Sequence, residues 1–80
     1  MYMDVKKLER EMRLLAEARI DKFAGENAVL LTKKAAAQVC GKSTTWIDRM
    51  IAMGRLPTIK VGKSEWIQRP VLIEGLVSGM

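Results

Sequence analysis

Two short segments, each with a marked start and joined by a very tight connection, most constrain how this chain can fold. Thr32 can serve as the N-cap of a helix over about 33–40, and Gly41 stands where a helix-ending residue with positive φ belongs. Ser43 can cap the next helix, over about 44–53. Because the connection is too short for two antiparallel helices in full contact, it predicts a crossed pair, the helix-turn-helix.

The spacing of small and branched residues supports the same prediction. Ala37 is followed four residues later by Gly41 and six residues after that by Ile47. The alanine allows the second helix to cross closely, the glycine takes the turn conformation, and the isoleucine anchors the second helix to the first. Met50 and Ile51 are expected to share the inner face with Ile47.

The segments on either side predict a longer helix and a hairpin. Residues 4–23 carry an apolar stripe at helical spacing, so we expect an amphipathic helix that either packs on the domain or pairs with a second copy. Residues 58–61 and 65–68 predict a β-hairpin with a Gly-Lys-Ser tip, and residues 70–77 predict a short last helix. The stripe consists of Val5, Leu8, Met12 and Leu15.

The predicted fold class is therefore mostly α with a small β-hairpin (α+β). It has an N-terminal amphipathic helix in residues 1–25, with possible self-association, and a winged helix-turn-helix domain in residues 26–80. Trp66, just after the hairpin tip, is expected in the core, as is Cys40 at a helix end.

The net charge of +5 lies entirely in the second part of the chain. Residues 1–31 carry six basic and six acidic side chains, whereas residues 32–80 carry eight basic and three acidic ones. A one-sided positive field favours a polyanionic partner, although a charge that merely aids solubility is the alternative.

Several function classes are disfavoured. One cysteine and no histidine exclude a disulfide framework and an ordinary zinc site, and no apolar run could span a bilayer. The N-terminus lacks the apolar region of a signal peptide. "VGKS" matches the end of a P-loop, but the upstream glycine is missing. We therefore expect a cytoplasmic, non-enzymatic protein with no cofactor, no metal, no catalytic residue and no membrane partner.

In a helix-turn-helix, the second helix places its N-terminal part in the major groove of double-stranded DNA. Arg49 is the best candidate for a guanine or phosphate contact, and Asp48 either reads a cytosine amino group or weakens binding to the backbone. A basic hairpin tip can reach the neighbouring minor groove or its phosphates. The outward positions of the second helix and its cap are predicted to be Ser43, Thr44, Thr45, Asp48, Arg49 and Ala52. The candidate DNA-binding residues are Lys42, Ser43, Thr44, Thr45, Asp48, Arg49, Arg55, Lys60, Lys63 and Ser64.

From residue 31 onward, "LTKKAAAQVCGKSTTWIDRMIAMGRLPTIKVG" resembles the excisionase-type, MerR-related (AlpA-like) winged helix-turn-helix family, and in particular Cox-type regulators of temperate phages. The family pattern matches at residues 31–57, and the resemblance covers about half the chain, through the hairpin. The resemblance implies a bacterial or phage-encoded, nucleoid-associated protein that binds repeated DNA sites cooperatively, self-associates and bends DNA. Such proteins steer a phage-type integrase toward excision, and some repress promoters. The implied DNA contacts fall on Ser43, Thr44, Arg49, Lys60 and Lys63.

Two positions depart from the family pattern. Asp48 stands where relatives often have a basic or aromatic residue, and Trp46 replaces a small one. Trp46 could stack on a sugar, but packing is the more frequent role of a helical tryptophan. Two alternatives remain. One is a MerR-like regulator that dimerises through its first helix without a role in recombination. The other is a protein-interaction module on the same fold, which Asp48 and Trp46 on the expected reading face favour.

Overall fold

The computed structural model describes residues 4–79, which form an α+β fold of four helices and a small antiparallel sheet. The mostly helical class predicted from the sequence is confirmed. In chain order the elements are α1 (Val5–Ala24), β1 (Leu30–Leu31), α2 (Lys33–Cys40), α3 (Thr44–Ala52), β2 (Ile59–Val61), β3 (Ser64–Gln68) and α4 (Arg69–Val77).

The predicted helix starts are confirmed by local hydrogen bonds. The side chains of Asp4, Thr32 and Ser43 each accept a hydrogen bond from the backbone N–H three residues later, at 3.2, 3.1 and 3.1 Å. Each bond satisfies one of the N–H groups that a helix leaves without an intrahelical partner. Pro70 lies in the first turn of α4, where its missing N–H costs nothing.

A third strand, β1, was not predicted. The strand order is β1-β3-β2, and Leu31 pairs with Ile67 while Leu30 pairs with Gln68. Because β1 has only two residues, it carries no alternation that sequence reasoning could detect. The hairpin of β2 and β3 is confirmed, but it is part of a three-stranded sheet.

The core lies between the four helices and one face of the sheet, and every buried side chain among the described residues is apolar. The prediction that Trp66 is a core residue was wrong. Its neighbour Ile67 is fully buried, and adjacent residues of a strand point to opposite faces, so Trp66 is half-buried on the other face of the sheet. The largest fully buried side chains are Ile20, Leu31, Ile47, Leu56, Ile67 and Leu72.

Helix α1 packs against α2 and α4, but not through the predicted stripe. Ala16 and Ile20 are buried, whereas three of the four stripe residues are exposed. Most of the stripe is therefore an exposed apolar surface that lies beside the side of α1 that packs on the domain.

Arg69 ties the end of α1 to the start of α4. Its Nη1 donates to Asp21 Oδ1 at 2.9 Å and to the carbonyl oxygen of Ala28 at 3.1 Å. The backbone N–H of Arg69 donates to the carbonyl oxygen of Val29 at 2.8 Å. The guanidinium beside Asp21, together with the backbone N–H of Asn27, lowers the pKa of that carboxyl. This network links α1 and the segment that follows it to the start of α4, through hydrogen bonds between residues 48 and 41 positions apart.

None of the helices described here combines the length and the apolar character needed to cross a membrane.

Candidate nucleic-acid interface

Helix α3 has one buried side and one exposed side. Ile47 and Met50 are buried and Ile51 packs against the core from a half-buried position, as expected of the inner face. Six residues predicted to point outward are all exposed, so this side of α3 is available to a partner. They are Ser43, Thr44, Thr45, Asp48, Arg49 and Ala52.

The turn before α3 fixes how that exposed side is presented. Gly41 adopts the left-handed conformation, with φ of 68°, which a residue with a Cβ adopts at a cost. The backbone N–H of Lys42 then donates to the carbonyl oxygen of Ala37 at 2.9 Å, which closes α2. Ser43 follows at once as the cap of α3, so the two helices are separated by only three residues.

Lys33 connects α2, α3 and the hairpin. Its Nζ lies 2.8 Å from Asp48 Oδ1 and 3.9 Å from Glu65 Oε1. The hydroxyl of Thr58 donates to the other oxygen of Glu65 at 3.0 Å. Hydrogen bonding to Asp48, with the charges of both carboxylates, raises the pKa of Lys33. Asp48, predicted as a possible base reader, thus has one carboxylate oxygen engaged inside the protein.

The hairpin places Lys60 on the same side of the sheet as this cluster. Lys60 lies opposite Glu65 in the ladder, and directly opposed residues share a face. Gly62, with φ of 64°, and Lys63 form the two-residue turn, so Lys63 lies at the exposed tip beside Ser64. The β2–β3 hairpin therefore carries two exposed lysines, one at its tip and one on the side of α2 and α3.

All three carboxylates of residues 32–79 are ion-paired. Asp48 and Glu65 share Lys33, and Glu74 lies 2.8 Å from Arg13 of α1. Of the eight cations in this part of the chain, Lys33 and Arg69 are also engaged in ion pairs. The remaining six form no ion pair with a carboxylate of the described residues, and they are Lys34, Lys42, Arg49, Arg55, Lys60 and Lys63.

Arg55 lies apart from the Lys33 cluster. It follows α3 and lines a groove together with Pro57, Pro70 and Glu74, on the side of α4. It is exposed, and its backbone N–H donates to the carbonyl oxygen of Met50 at 3.0 Å. Among the predicted site residues, Arg55 is therefore the one that the fold directs toward α4.

Trp46 packs on the core from a half-buried position, as the packing interpretation of this residue predicted. Lys42 Nζ lies 5.8 Å from the centre of its ring, within the range of a cation–π contact. This contact helps to hold the lysine of the turn over the first turn of α3.

The described residues offer little for covalent or metal chemistry. Burial raises the pKa of the half-buried Cys40 thiol at the end of α2, which leaves less of the reactive thiolate at neutral pH. In residues 4–79, no three His, Cys, Asp or Glu side chains come together as a metal site requires. The exposed, basic surface around α3 and the hairpin is the feature that invites a functional interpretation.

Sequence reasoning missed Lys33 as a residue of this surface. From the sequence, Lys33 contributed only to the net charge, because its partners Asp48 and Glu65 lie 15 and 32 residues further along the chain. No local pattern in the sequence connects residues at those separations, so only the packing of α2 between α3 and the hairpin reveals the cluster.

No protein-family model matches this chain, and comparisons with curated proteins and with solved structures gave no match. The support for a function therefore comes from the geometry and charge of the surface around α3, and from the sequence resemblance at residues 31–57.

Proposed function

We propose that α2 and α3 form a helix-turn-helix, that the β2–β3 hairpin is its wing, and that the chain is a sequence-specific double-stranded DNA-binding protein. The main support is the charge of the exposed side of α3, which lies among cations that form no ion pair with any carboxylate in residues 4–79. Its only acidic residue, Asp48, is paired with Lys33. Such a surface attracts a polyanion and presents hydrogen-bonding side chains on a helix.

The residues of α3 supply the chemistry of groove recognition. The major groove of B-DNA admits an α-helix, and the hydroxyls of Thr44 and Thr45 lie at the end of α3 that would enter first. Arg49, just over one turn further on, can make a bidentate contact with guanine or clamp a phosphate. Lys42 and the N-terminal N–H groups of α3 suit a phosphate at the groove edge.

The wing adds contacts outside the major groove. Lys63 at the tip and Lys60 on the side of α2 and α3 are both exposed and suit phosphates along the neighbouring minor groove. With Lys42 and Arg49, they account for about four phosphate or base contacts.

The proposed biological role rests on the resemblance of residues 31–57 to excisionase and Cox-type regulators. The protein would bind repeated sites in phage attachment DNA, bend them, and act with a phage-type integrase or as a repressor. A MerR-like regulator without a role in recombination would use the same DNA-binding surface, so DNA binding is common to both versions.

The alternative of a protein-interaction module is weakened by the two residues that suggested it. Asp48 is engaged by Lys33, and Trp46 packs on the core, so neither offers a free anchor for a protein partner. We therefore propose DNA rather than protein as the partner of α3.

The test is the salt dependence of binding to duplex DNA that carries a phage attachment site, with the Arg49→Ala/Lys63→Ala variant compared with wild type. We expect the logarithm of the wild-type binding constant to fall by about 0.9 per phosphate contact for each tenfold rise in salt. We expect the double variant to bind weakly and with a shallower slope.

The matched control is Lys6→Ala/Arg10→Ala, which removes the same two residue types from exposed positions of α1. We expect this variant to retain most of the affinity. The absence of binding at low salt, or equal losses in the two double variants, would contradict the proposal. Adding a phage-type integrase then distinguishes an excisionase from a MerR-like regulator. Only an excisionase shifts recombination by the integrase toward excision.

A further inference from the structure

Helix α1 carries an apolar stripe that its own domain leaves exposed. The exposed fractions of Val5, Leu8 and Leu15 are 60%, 42% and 65%. Their spacing, with Met12 between Leu8 and Leu15, places them along one line of the helix. A line of large apolar side chains in water is typical of a surface that binds another protein.

The second half of the stripe borders a groove. Met12, Leu15, Ala16 and Arg19 of α1 and Leu76 of α4 line an indentation of about 380 Å³. The first half of the stripe, Val5 and Leu8, lies on turns of α1 that precede these groove residues. The same helix thus presents an apolar ridge at its start and an apolar groove further along.

The charges beside the stripe differ in sign between its two halves. At about 3.6 residues per turn, the acids Asp4, Glu9 and Glu11 flank the Val5–Leu8 half. The cations Arg19 and Lys22 lie on or beside the same line beyond Leu15, and all five side chains are in exposed residues. A parallel copy would set acids against acids, whereas an antiparallel copy sets the acids of one helix against the cations of the other.

We propose that α1 pairs with the α1 of a second copy of this chain in antiparallel orientation, about a two-fold axis near Met12. Leu8 of each copy then lies over Leu15 and the groove of the other, and Asp4 lies near the other copy's Lys22. The interface is isologous, as in most dimers. This inference goes beyond DNA binding and does not depend on it, because the dimer forms in the absence of DNA.

The first test is the mass of the full chain in solution without DNA, measured by sedimentation at increasing protein concentration. We expect a monomer–dimer equilibrium that the Leu8→Glu/Leu15→Glu variant shifts to monomer, with a dissociation constant raised at least about tenfold. The matched control is Leu14→Glu, because Leu14 is 66% exposed but lies on the opposite side of α1.

Far-UV circular dichroism of each variant verifies that α1 and the domain remain folded. A wild-type chain that stays monomeric at millimolar concentration overturns the proposal. Equal weakening by Leu14→Glu overturns it as well. Because DNA is absent from these measurements, either failure leaves the proposed function standing.

The second test determines the relative orientation of the two α1 helices. It measures disulfide formation between cysteines introduced into chains that carry Cys40→Ser. Mixing the Leu8→Cys chain with the Leu15→Cys chain is expected to give a cross-linked heterodimer. The Leu8→Cys chain alone is expected to remain uncross-linked, because its two cysteines lie roughly 10 Å apart along the axis of an antiparallel pair. Efficient cross-linking of Leu8→Cys alone, or no cross-linking in the mixture, overturns the antiparallel arrangement.

Discussion

Lys33 Nζ lies 2.8 Å from Asp48 Oδ1, so the only acidic side chain of α3 is held by a cation from α2. The same ammonium group lies 3.9 Å from Glu65 on the hairpin. One lysine therefore lowers the negative potential of two carboxylates on the surface that we propose faces DNA. The negative charge of Asp48 on the exposed side of α3 is thus balanced by a residue outside α3.

We expect Lys33→Met to weaken DNA binding several-fold, because two carboxylates then face phosphate without a counter-charge. Lys33→Met/Asp48→Asn keeps the wild-type net charge and is expected to restore most of the affinity. Fluorescence anisotropy on labelled duplex DNA measures both. The free energy of unfolding should change little, because the pair is exposed to solvent. Weaker binding in the double variant than in Lys33→Met would count against this role of Asp48.

Gly41→Ala should destabilise the protein by about 1 kcal/mol, because the left-handed conformation disfavours a Cβ. Since the turn sets the angle between α2 and α3, we also expect DNA affinity to fall. Urea unfolding measures the first effect. Gln38→Ala, at an exposed position of the same helix, is the control and should change stability little. A Gly41→Ala variant as stable as wild type would show that the turn is not strained by a side chain.

Asp21→Asn should reduce stability near pH 7 and lose its effect in acid. The hydrogen bond from Arg69 lowers the folded-state pKa of Asp21, so its stabilisation is fully present above the unfolded-state pKa. It is lost as the pH falls below 3.8 and through the folded-state pKa. Urea unfolding of both proteins from pH 7 to pH 2 measures the difference. Glu26→Gln, at an exposed position nearby, should show a smaller difference at pH 7.

Ile20→Ala should destabilise the whole domain by about 2–5 kcal/mol, because Ile20 is fully buried between α1 and the core. Leu14→Ala removes a similar volume from an exposed position of the same helix and should cost far less. Thermal unfolding followed by circular dichroism compares them. If Ile20→Ala melted α1 alone, in a separate early transition, residues 1–25 would be an independent unit rather than part of one cooperative fold.

The sequence determined the positions at which its helices begin and end. Asp4, Thr32 and Ser43 act on N–H groups three residues away, and Gly41 acts through its own φ, so these signals are complete within a few residues. The exposed side of α3 was predictable for the same reason, since the 3.6-residue period separates its two faces without reference to the rest of the chain.

The tertiary structure decided how these elements use one another. It formed β1 by pairing Leu31 with Ile67, and it gave Lys33 and Arg69 partners 15 to 48 residues away. In the folded chain, α1 packs on the domain through Ala16 and Ile20 rather than through the apolar stripe from Val5 to Leu15. These outcomes depend on which surfaces meet when the chain folds, and no interaction between near neighbours in the sequence encodes them.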